Sequence, residues 1–183
     1  TAAELNTLDG KTSVDVIAAA VATIEASPVA DVLTLITNQA TAGLDDDYTV
    51  TLSDATITAG NINTVDADTT GEVTVSAAEI TGAHADITTA ISSAGTVVEA
   101  DVNATSSNEM TSDQITAMDD ITTGIITATN SDGTLDDLAG LDNDNSNNAI
   151  TVTVTDTGAT AAELNNLDGK TSVDVIAAAV ATI

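Results

Sequence analysis

Carboxylate and amide oxygens gather in three short stretches of this chain, where they could bind a metal ion. The stretches are residues 43–47 (GLDDD), 66–72 (DADTTGE) and 142–146 (DNDNS). Calcium takes six to eight oxygen ligands from carboxylates and carbonyls. Its candidate ligands here are Asp45, Asp46, Asp47, Asp66, Asp68, Glu72, Asp142 and Asp144. Two interpretations stay open, namely solvated turn carboxylates and at least one calcium site.

The second stretch matches the beginning of an EF-hand loop but not its end. Asp66 and Asp68 occupy loop positions 1 and 3, and Gly71 occupies position 6. Position 12 requires a bidentate Glu, and Ala77 is found there instead. The stretch is therefore not an EF-hand, and calcium binding would need a different ligand arrangement.

Catalysis lacks its usual side chains in this sequence. The chain has no Cys and no Arg, only two Lys residues, and a single His, His84. Most general acid–base and nucleophilic sites need several such groups close together. We therefore predict that the protein is not an enzyme, with no catalytic residue, no cofactor other than the candidate calcium, and His84 on the surface.

The charge balance excludes two classes of partner. There are 29 acidic residues against two basic ones, which gives a net charge of −27. Nucleic-acid binding needs Lys and Arg to neutralise phosphates, and docking on an anionic membrane needs a polybasic patch. The longest apolar run, residues 16–22, is too short to span a bilayer. We predict no nucleic-acid partner and no direct membrane insertion.

The chain is built from repeats on two scales. Residues 1–24 return as residues 160–183 with a single difference, Thr7 against Asn166. A shorter, degenerate repeat begins at residues 1, 28, 58, 83, 111, 134 and 160 and averages about 26 residues. Its first apolar column is Leu5, Val32, Ile62, Ile87, Ile115, Leu138 and Leu164, and its second is Leu8, Leu35, Val65, Ala90, Met118, Leu141 and Leu167. We predict that residues 1–159 form one super-repeat of six coils and that residues 160–183 begin the next.

Each repeat opens with signals for a short helix. A Thr at the first position followed three residues later by Glu, Asn, Gln or Asp is typical of a capping box. Pro28 suits the first turn of the second helix. Gly10 and Gly169 are expected to end their helices, and the following Lys11 and Lys170 to complement the negative end of the helix dipole.

Strand-like segments with alternating Val, Ile and Thr lie between the predicted helices. They cover residues 48–52, 73–75, 98–102 and 150–154. One parallel strand and one short helical turn in each coil of about 26 residues predict an α/β repeat solenoid, with a β-sandwich repeat array as the second choice.

The phrase TAAELNxLDGxTS, followed by alternating Val and Ala, resembles repeats in very large surface and secreted proteins of marine bacteria, especially cyanobacteria. Giant surface proteins linked to non-flagellar swimming are among them. The AAELNxLDG phrase also resembles repeats in tail-fibre proteins of marine phages, so a second origin stays open. The resemblance extends over the whole chain and implies an extracellular or cell-surface location, with no catalytic residues to carry over.

Two functional hypotheses follow from the repeats and the resemblance. The first is a structural segment of an elongated extracellular repeat protein, such as a stalk, fibre or surface-layer component, with calcium as a candidate rigidifying ion. Its partners would be flanking repeats of the same chain, with lateral or end-to-end self-association into fibres. The alternative is an adhesin-like or phage-tail-fibre-like module whose exposed loops recognise a surface receptor or glycan.

Overall fold

A computed structural model describes residues 1–11, 16, 18–141 and 147–183. The chain forms two compact units, one made of Thr1–Ile80 with Thr89–Glu99 and the other of Thr81–Thr88 with Ala100–Ile183. Within the described residues, no helix has both the length and the apolar character needed to cross a bilayer.

Short helices and short strands alternate along the chain. The helices are α1 (Ala2–Asp9), α2 (Val29–Thr37), α3 (Gln39–Ala42), α4 (Ala59–Asp68), α5 (His84–Ser92), α6 (Ser112–Asp119), α7 (Leu135–Leu138) and α8 (Ala161–Asp168). The strands are β1 (Thr23–Ser27), β2 (Thr49–Leu52), β3 (Thr56–Thr58), β4 (Val73–Val75), β5 (Glu79–Gly82), β6 (Thr96–Val98), β7 (Asn103–Ser106), β8 (Ile126–Thr129) and β9 (Ala149–Thr151).

The strands form two sheets with parallel pairing between successive repeats. The strand orders are β1-β2-β4-β6 and β3-β5-β7-β8-β9. In the first sheet Val50 is paired with Val73, and Val73 with Thr96, so one position of the repeat forms a continuous row. In the second sheet Thr127 is paired with Thr105 on one side and Ala149 on the other. The predicted α/β class with parallel strands is confirmed.

Three repeats, beginning at residues 28, 58 and 83, contribute two strands each rather than the single strand expected from the sequence, while those beginning at residues 1, 111 and 134 contribute one each. The repeat beginning at residue 28, for example, supplies β2 to the first sheet and β3 to the second. The strands predicted at residues 48–52 and 73–75 correspond to β2 and β4, and residues 150–154 overlap β9. The strand predicted at residues 98–102 is wrong, because this segment spans the connection between β6 and β7.

The predicted capping boxes form at α6 and α8, and at α7 the Thr134 hydroxyl accepts from the Asp137 N–H. The prediction is wrong at α4, where Thr58 is the N-cap but its side chain makes no capping hydrogen bond.

At α8 the Thr160 hydroxyl accepts from the Glu163 N–H at 3.2 Å, and the Glu163 carboxylate accepts from the Thr160 N–H at 2.7 Å. The backbone bond from Thr160, followed by the bond from its hydroxyl, holds the pKa of Glu163 below its usual value. Thr111 and Gln114 form the same box at α6. The prediction for Pro28 is wrong by one residue, because Pro28 is the N-cap of α2 and the first turn of the helix begins at Val29.

The two predicted apolar columns form the buried core beneath the helices of the five repeats that begin at residues 28, 58, 83, 111 and 134. The prediction is wrong for the first column of the first and last repeats, where Leu5 and Leu164 are half-buried, and for Leu8, which is exposed because no helix of a neighbouring repeat lies against it. The first-column residues Val32, Ile62, Ile87, Ile115 and Leu138 are at most 1% exposed, as are Leu35, Val65, Ala90, Met118 and Leu141 of the second. A core of small aliphatic side chains in these five repeats explains how the chain folds with one aromatic residue.

Candidate functional site: the contacts that join successive repeats

The first backbone N–H of several helices donates to a side chain that lies 20–25 residues later in the chain. Val29 N–H donates to Asp54 at 2.7 Å, Ser112 N–H to Asp132 at 2.6 Å, and Leu135 N–H to Asp156 at 2.6 Å. Ala2 and His84 donate in the same way to Ser27 and Asn108, at 3.0 and 2.9 Å. These closing bonds satisfy helix N–H groups that have no partner within the helix. They also fix the end of each of these repeats against its own beginning.

A buried threonine joins one repeat to the preceding one at three places. The Thr122 hydroxyl donates to the carbonyl oxygens of Val102 at 2.5 Å and Ala100 at 3.2 Å, and it accepts from the Gly124 N–H at 3.0 Å. Thr122 is only 2% exposed, so water has little access to replace these bonds. We call this arrangement the threonine tie.

The same tie recurs at Thr69 and Thr171. Thr69 donates to the Tyr48 carbonyl oxygen at 2.5 Å, and Thr171 to the Ile150 carbonyl oxygen at 2.7 Å. Each hydroxyl also accepts from the N–H two residues later in its own chain. The same set of hydrogen bonds therefore connects a repeat to the preceding one at three junctions, one in the first compact unit and two in the second.

At two threonine ties, the residue two positions after the threonine must be glycine, because its Cα lies close to the carbonyl oxygen that the threonine binds. A Cβ added to Gly71 would lie 2.2 Å from the Tyr48 carbonyl oxygen, and one added to Gly124 would lie 2.1 Å from that of Val102. Both distances are far below van der Waals contact. The Thr-Thr-Gly sequence at residues 69–71 and 122–124 therefore combines the tie with the small residue that it needs.

Aspartates at the ends of helices connect to the following repeat. The Asp66 carboxylate at the end of α4 accepts from Ser93 Oγ at 2.8 Å and from Thr96 Oγ1 at 3.1 Å. Asp119 at the end of α6 accepts from the Asn148 side-chain amide at 2.7 Å. The aspartate that follows the second apolar column therefore binds the next repeat at these two positions.

Lys170 contacts a different helix end from the one predicted. Its ammonium donates to the carbonyl oxygen of Leu141 and, at 3.3 Å, to that of Ala139. These carbonyls follow α7 in the preceding repeat, whereas the sequence suggested the end of α8. The favourable interaction of a cation with helix-terminal carbonyls is retained, but it joins two repeats.

The predicted calcium ligands are placed as follows. Asp45, Asp46 and Asp47 are exposed, and Asp142 and Asp144 lie outside the described residues. Asp66 binds Ser93 and Thr96, as above; Asp68 accepts from the Tyr48 hydroxyl at 2.7 Å; and Glu72 accepts from Thr74 at 3.3 Å. Over residues 1–11, 18–141 and 147–183, no three His, Cys, Asp or Glu side chains are close enough together to hold a metal ion. Calcium binding stays a prediction.

His84 has a polar neighbour that explains its position. Its ring Nδ1 lies 3.0 Å from the Asn108 side-chain amide nitrogen, and Asn108 also closes the repeat through the His84 N–H. The imidazole thus contacts the same Asn108 side chain that accepts the closing bond of α5.

A groove lies between α7 and α8 in the second unit. It has a volume of about 360 Å³ and an apolar wall formed by Leu135, Leu138, Ala162 and Leu167. Asp136, Glu163 and Asn166 also line it. Small-molecule sites start at about this size.

No protein-family model matches the chain, and no curated protein or solved structure is significantly similar to it.

Proposed function

We propose that the chain is a structural segment of an elongated extracellular repeat protein, in which successive repeats continue as an α/β solenoid. The observation that carries this proposal is the threonine tie, which recurs at Thr69, Thr122 and Thr171. A contact that recurs at the same position in several repeats can add one repeat after another without a special partner. Repeat proteins of this kind act as stalks, fibres or surface layers.

The direct test of the proposed solenoid is how the molecule lengthens. Each repeat should advance the stack by about 4.8 Å, the spacing of paired strands, so six repeats should add about 29 Å. Adding a second 159-residue block to the chain should therefore lengthen its maximum dimension in solution X-ray scattering by that amount. A globular protein would instead grow with about the 0.38 power of its length. Compact growth of this kind would reject the proposal.

The extracellular location is part of the same proposal and is supported by the resemblance to marine surface proteins. Antibody labelling of intact source cells should detect the protein without permeabilisation. Labelling that requires permeabilised cells would contradict this location.

Calcium is proposed as an ion that stabilises the array against its own charge. A net charge of −27 opposes compaction, and a cation bound only by the folded state would raise the melting temperature. Asp66 and Asp68 already accept hydroxyl hydrogen bonds, so the exposed Asp45, Asp46 and Asp47 are better placed to respond. Millimolar calcium at constant ionic strength should raise the melting temperature, and Asn at these three positions should reduce the rise. An unchanged melting temperature would show that calcium does not stabilise the folded chain.

The alternative function, recognition of a receptor or glycan, is favoured by the groove between α7 and α8. Its volume suits a small ligand, but sugar sites commonly use an exposed aromatic face, and the single aromatic residue, Tyr48, is fully buried. Binding on a glycan array that is lost on replacing Leu138 and Leu167 by Ala would support this alternative. Absence of binding would leave the structural role.

A further inference from the structure

The groove between α7 and α8 coincides with an irregularity in the repeat that begins at residue 134. α7 has only four residues, whereas α6 and α8 have eight each, so the second turn of α8 has no helical counterpart in α7. Leu135 also stands where other helices begin with a small buried residue, Ala59 in α4 and Ser112 in α6. The larger Leu135 is only half-buried and forms part of the groove wall.

The groove lies on the side of α8 that faces the preceding repeat. The exposed residues of α8 that line it are Ala162, Glu163 and Asn166. The helix α1 differs from α8 only at Thr7, and α2 of the following repeat lies against it. Even so, Thr7 and the two other counterparts of the groove residues, Ala3 and Glu4, stay exposed in α1. A repeat that follows α8 in the same way would therefore leave the groove open.

Two carboxylates at the rim of the groove have oxygen atoms available for a ligand. Glu163 accepts from the N–H and the hydroxyl of Thr160 through the same atom, Oε2, which leaves Oε1 without a partner among the described residues. These two bonds hold the pKa of Glu163 below its usual value, so the carboxylate is charged at neutral pH. Asp136 is exposed, and its carboxylate has no hydrogen bond or ion pair in the part of the chain that the structure describes.

Positive charge is scarce around these carboxylates. Among the described residues, no Lys side chain lines the groove. The Lys170 ammonium reaches one end of it, where it donates to the carbonyl oxygens of Ala139, at 3.3 Å, and Leu141. The two rim carboxylates thus outnumber this single ammonium, and the chain as a whole carries a charge of −27. The groove is complementary to a molecule that combines positive charge with an apolar surface.

We propose that the groove between α7 and α8 binds a small organic cation with a short apolar chain, such as an alkylammonium ion. The ammonium group would donate to Glu163 Oε1 and to the Asp136 carboxylate, and the alkyl chain would lie along Leu135, Ala162 and Leu167. A volume of about 360 Å³ corresponds to roughly twelve water-sized groups, which suits a ligand of about six to ten carbon atoms. Unlike a glycan, this ligand needs no exposed aromatic face.

The bound cation would also connect two repeats. Asp136 belongs to the repeat that begins at residue 134, and Glu163 to the one that begins at residue 160. An ammonium between them reduces the repulsion of their charges, and only the folded chain brings both carboxylates to one groove. The ligand should therefore raise the melting temperature as its concentration increases.

The test is a titration of the full chain with hexylammonium at constant ionic strength, followed by the methyl signals of Leu and Ala in nuclear magnetic resonance spectra. We expect saturable shifts confined to the groove, at Leu135, Ala162 and Leu167. Hexanol lacks the charge and methylammonium lacks the chain, so each should bind at least about tenfold more weakly. Shifts spread over the whole acidic surface would show an unspecific cloud of cations and would reject the site.

Charge variants separate the groove from the general negative field of the chain. Glu163→Gln should weaken hexylammonium binding about five- to tenfold, and so should Asp136→Asn. The Gln variant keeps its helix start, because Gln114 forms the same capping box with Thr111. The matched control is Glu25→Gln, which removes one exposed carboxylate in the first compact unit and should change binding less than about twofold. Equal weakening by Glu163→Gln and Glu25→Gln would overturn the proposal.

A second pair of variants tests the shape of the site. Ala162→Leu places a larger side chain in the groove and should abolish binding. Ala30→Leu adds the same bulk at the equivalent second position of α2, which is also exposed, and should leave binding unchanged. Unchanged binding by the Ala162→Leu protein would overturn the proposal. The inference rests on the groove alone, so compact growth in solution scattering would reject the proposed solenoid without affecting it.

Discussion

Leu8 and Leu167 hold the same position in two copies of one sequence, but Leu8 is 54% exposed whereas Leu167 is 3% exposed. Leu167 lies against the groove formed with Leu135 and Leu138 of the preceding repeat. The burial of this residue is therefore a property of the neighbouring repeat rather than of its own local sequence. This dependence on a neighbour is what a nearest-neighbour repeat architecture requires.

Replacing these two leucines by alanine should give unequal effects. Leu167→Ala removes buried methyl groups and should lower the free energy of unfolding by about 2–5 kcal/mol. Leu8→Ala removes a largely solvated side chain and should cost less than about 0.5 kcal/mol. Urea unfolding followed by circular dichroism measures both variants. Equal losses would show that burial in the two copies is the same.

The threonine tie can be tested with two adjacent residues. Thr122→Val keeps the shape but leaves the Val102 carbonyl and the Gly124 N–H without their buried partner, at a cost of about 1–3 kcal/mol for each group. Thr123 also bonds a carbonyl, that of Ala100 at 3.1 Å, but it is exposed. Water can replace its hydroxyl, so Thr123→Val should change stability by less than about 0.5 kcal/mol. Similar unfolding midpoints for the two variants would show that the tie contributes little.

Two glycines should respond in opposite ways to alanine. Gly60 lies in α4 with no atom within 4 Å of an added Cβ, so Gly60→Ala should stabilise the chain by about 0.5–1 kcal/mol. Gly71→Ala would force β4 away from the Tyr48 carbonyl and should destabilise it by about 1–3 kcal/mol. Thermal melting should show an increase for the first variant and a decrease for the second. A Gly71→Ala protein that melts at the wild-type temperature would contradict the close approach.

The single tyrosine reports on stability at alkaline pH. Burial, and then the hydrogen bond to the Asp68 carboxylate, raise the pKa of Tyr48 above its ordinary value of about 10. A raised folded-state pKa gives stability that is fully present below pH about 10 and is lost as the pH rises further. Ultraviolet absorbance of the tyrosinate should therefore appear together with the loss of circular dichroism. Ionisation near pH 10 in a protein that stays folded would show that the Tyr48 hydroxyl is accessible.

The helices and their buried faces could be predicted because each repeat carries its own local signals. Thr111 with Gln114 and Thr160 with Glu163 are capping pairs three residues apart, and Ile62 and Ile115 fall in one apolar column. These signals are contained within one turn of helix. The sequence alone was therefore sufficient to place α6 and α8.

The contacts between repeats were harder to predict because they join residues about 20–30 positions apart. In the sequence, Thr122 cannot be told apart from an exposed threonine, because its partner, the Val102 carbonyl, is brought next to it only by the fold. Lys170 directly follows α8 in the sequence, but it binds the Leu141 carbonyl, which follows α7. The recurring Thr-Thr-Gly at residues 69–71 and 122–124 was the available signal for the tie. The second strand of the repeats that begin at residues 28 and 58 was missed because β3 and β5, at three and four residues, are too short to show alternation.

The measurement that tests the central claim most directly is the cost of Leu8→Ala in a chain that has residues 134–159 placed ahead of Thr1. The added repeat should cover Leu8 as it covers Leu167, through the same Leu135 and Leu138. We expect the loss of unfolding free energy to rise from less than about 0.5 kcal/mol in the original chain to about 2–5 kcal/mol in the extended one. A cost that stays below about 0.5 kcal/mol would contradict the stacking of repeats through a shared apolar face.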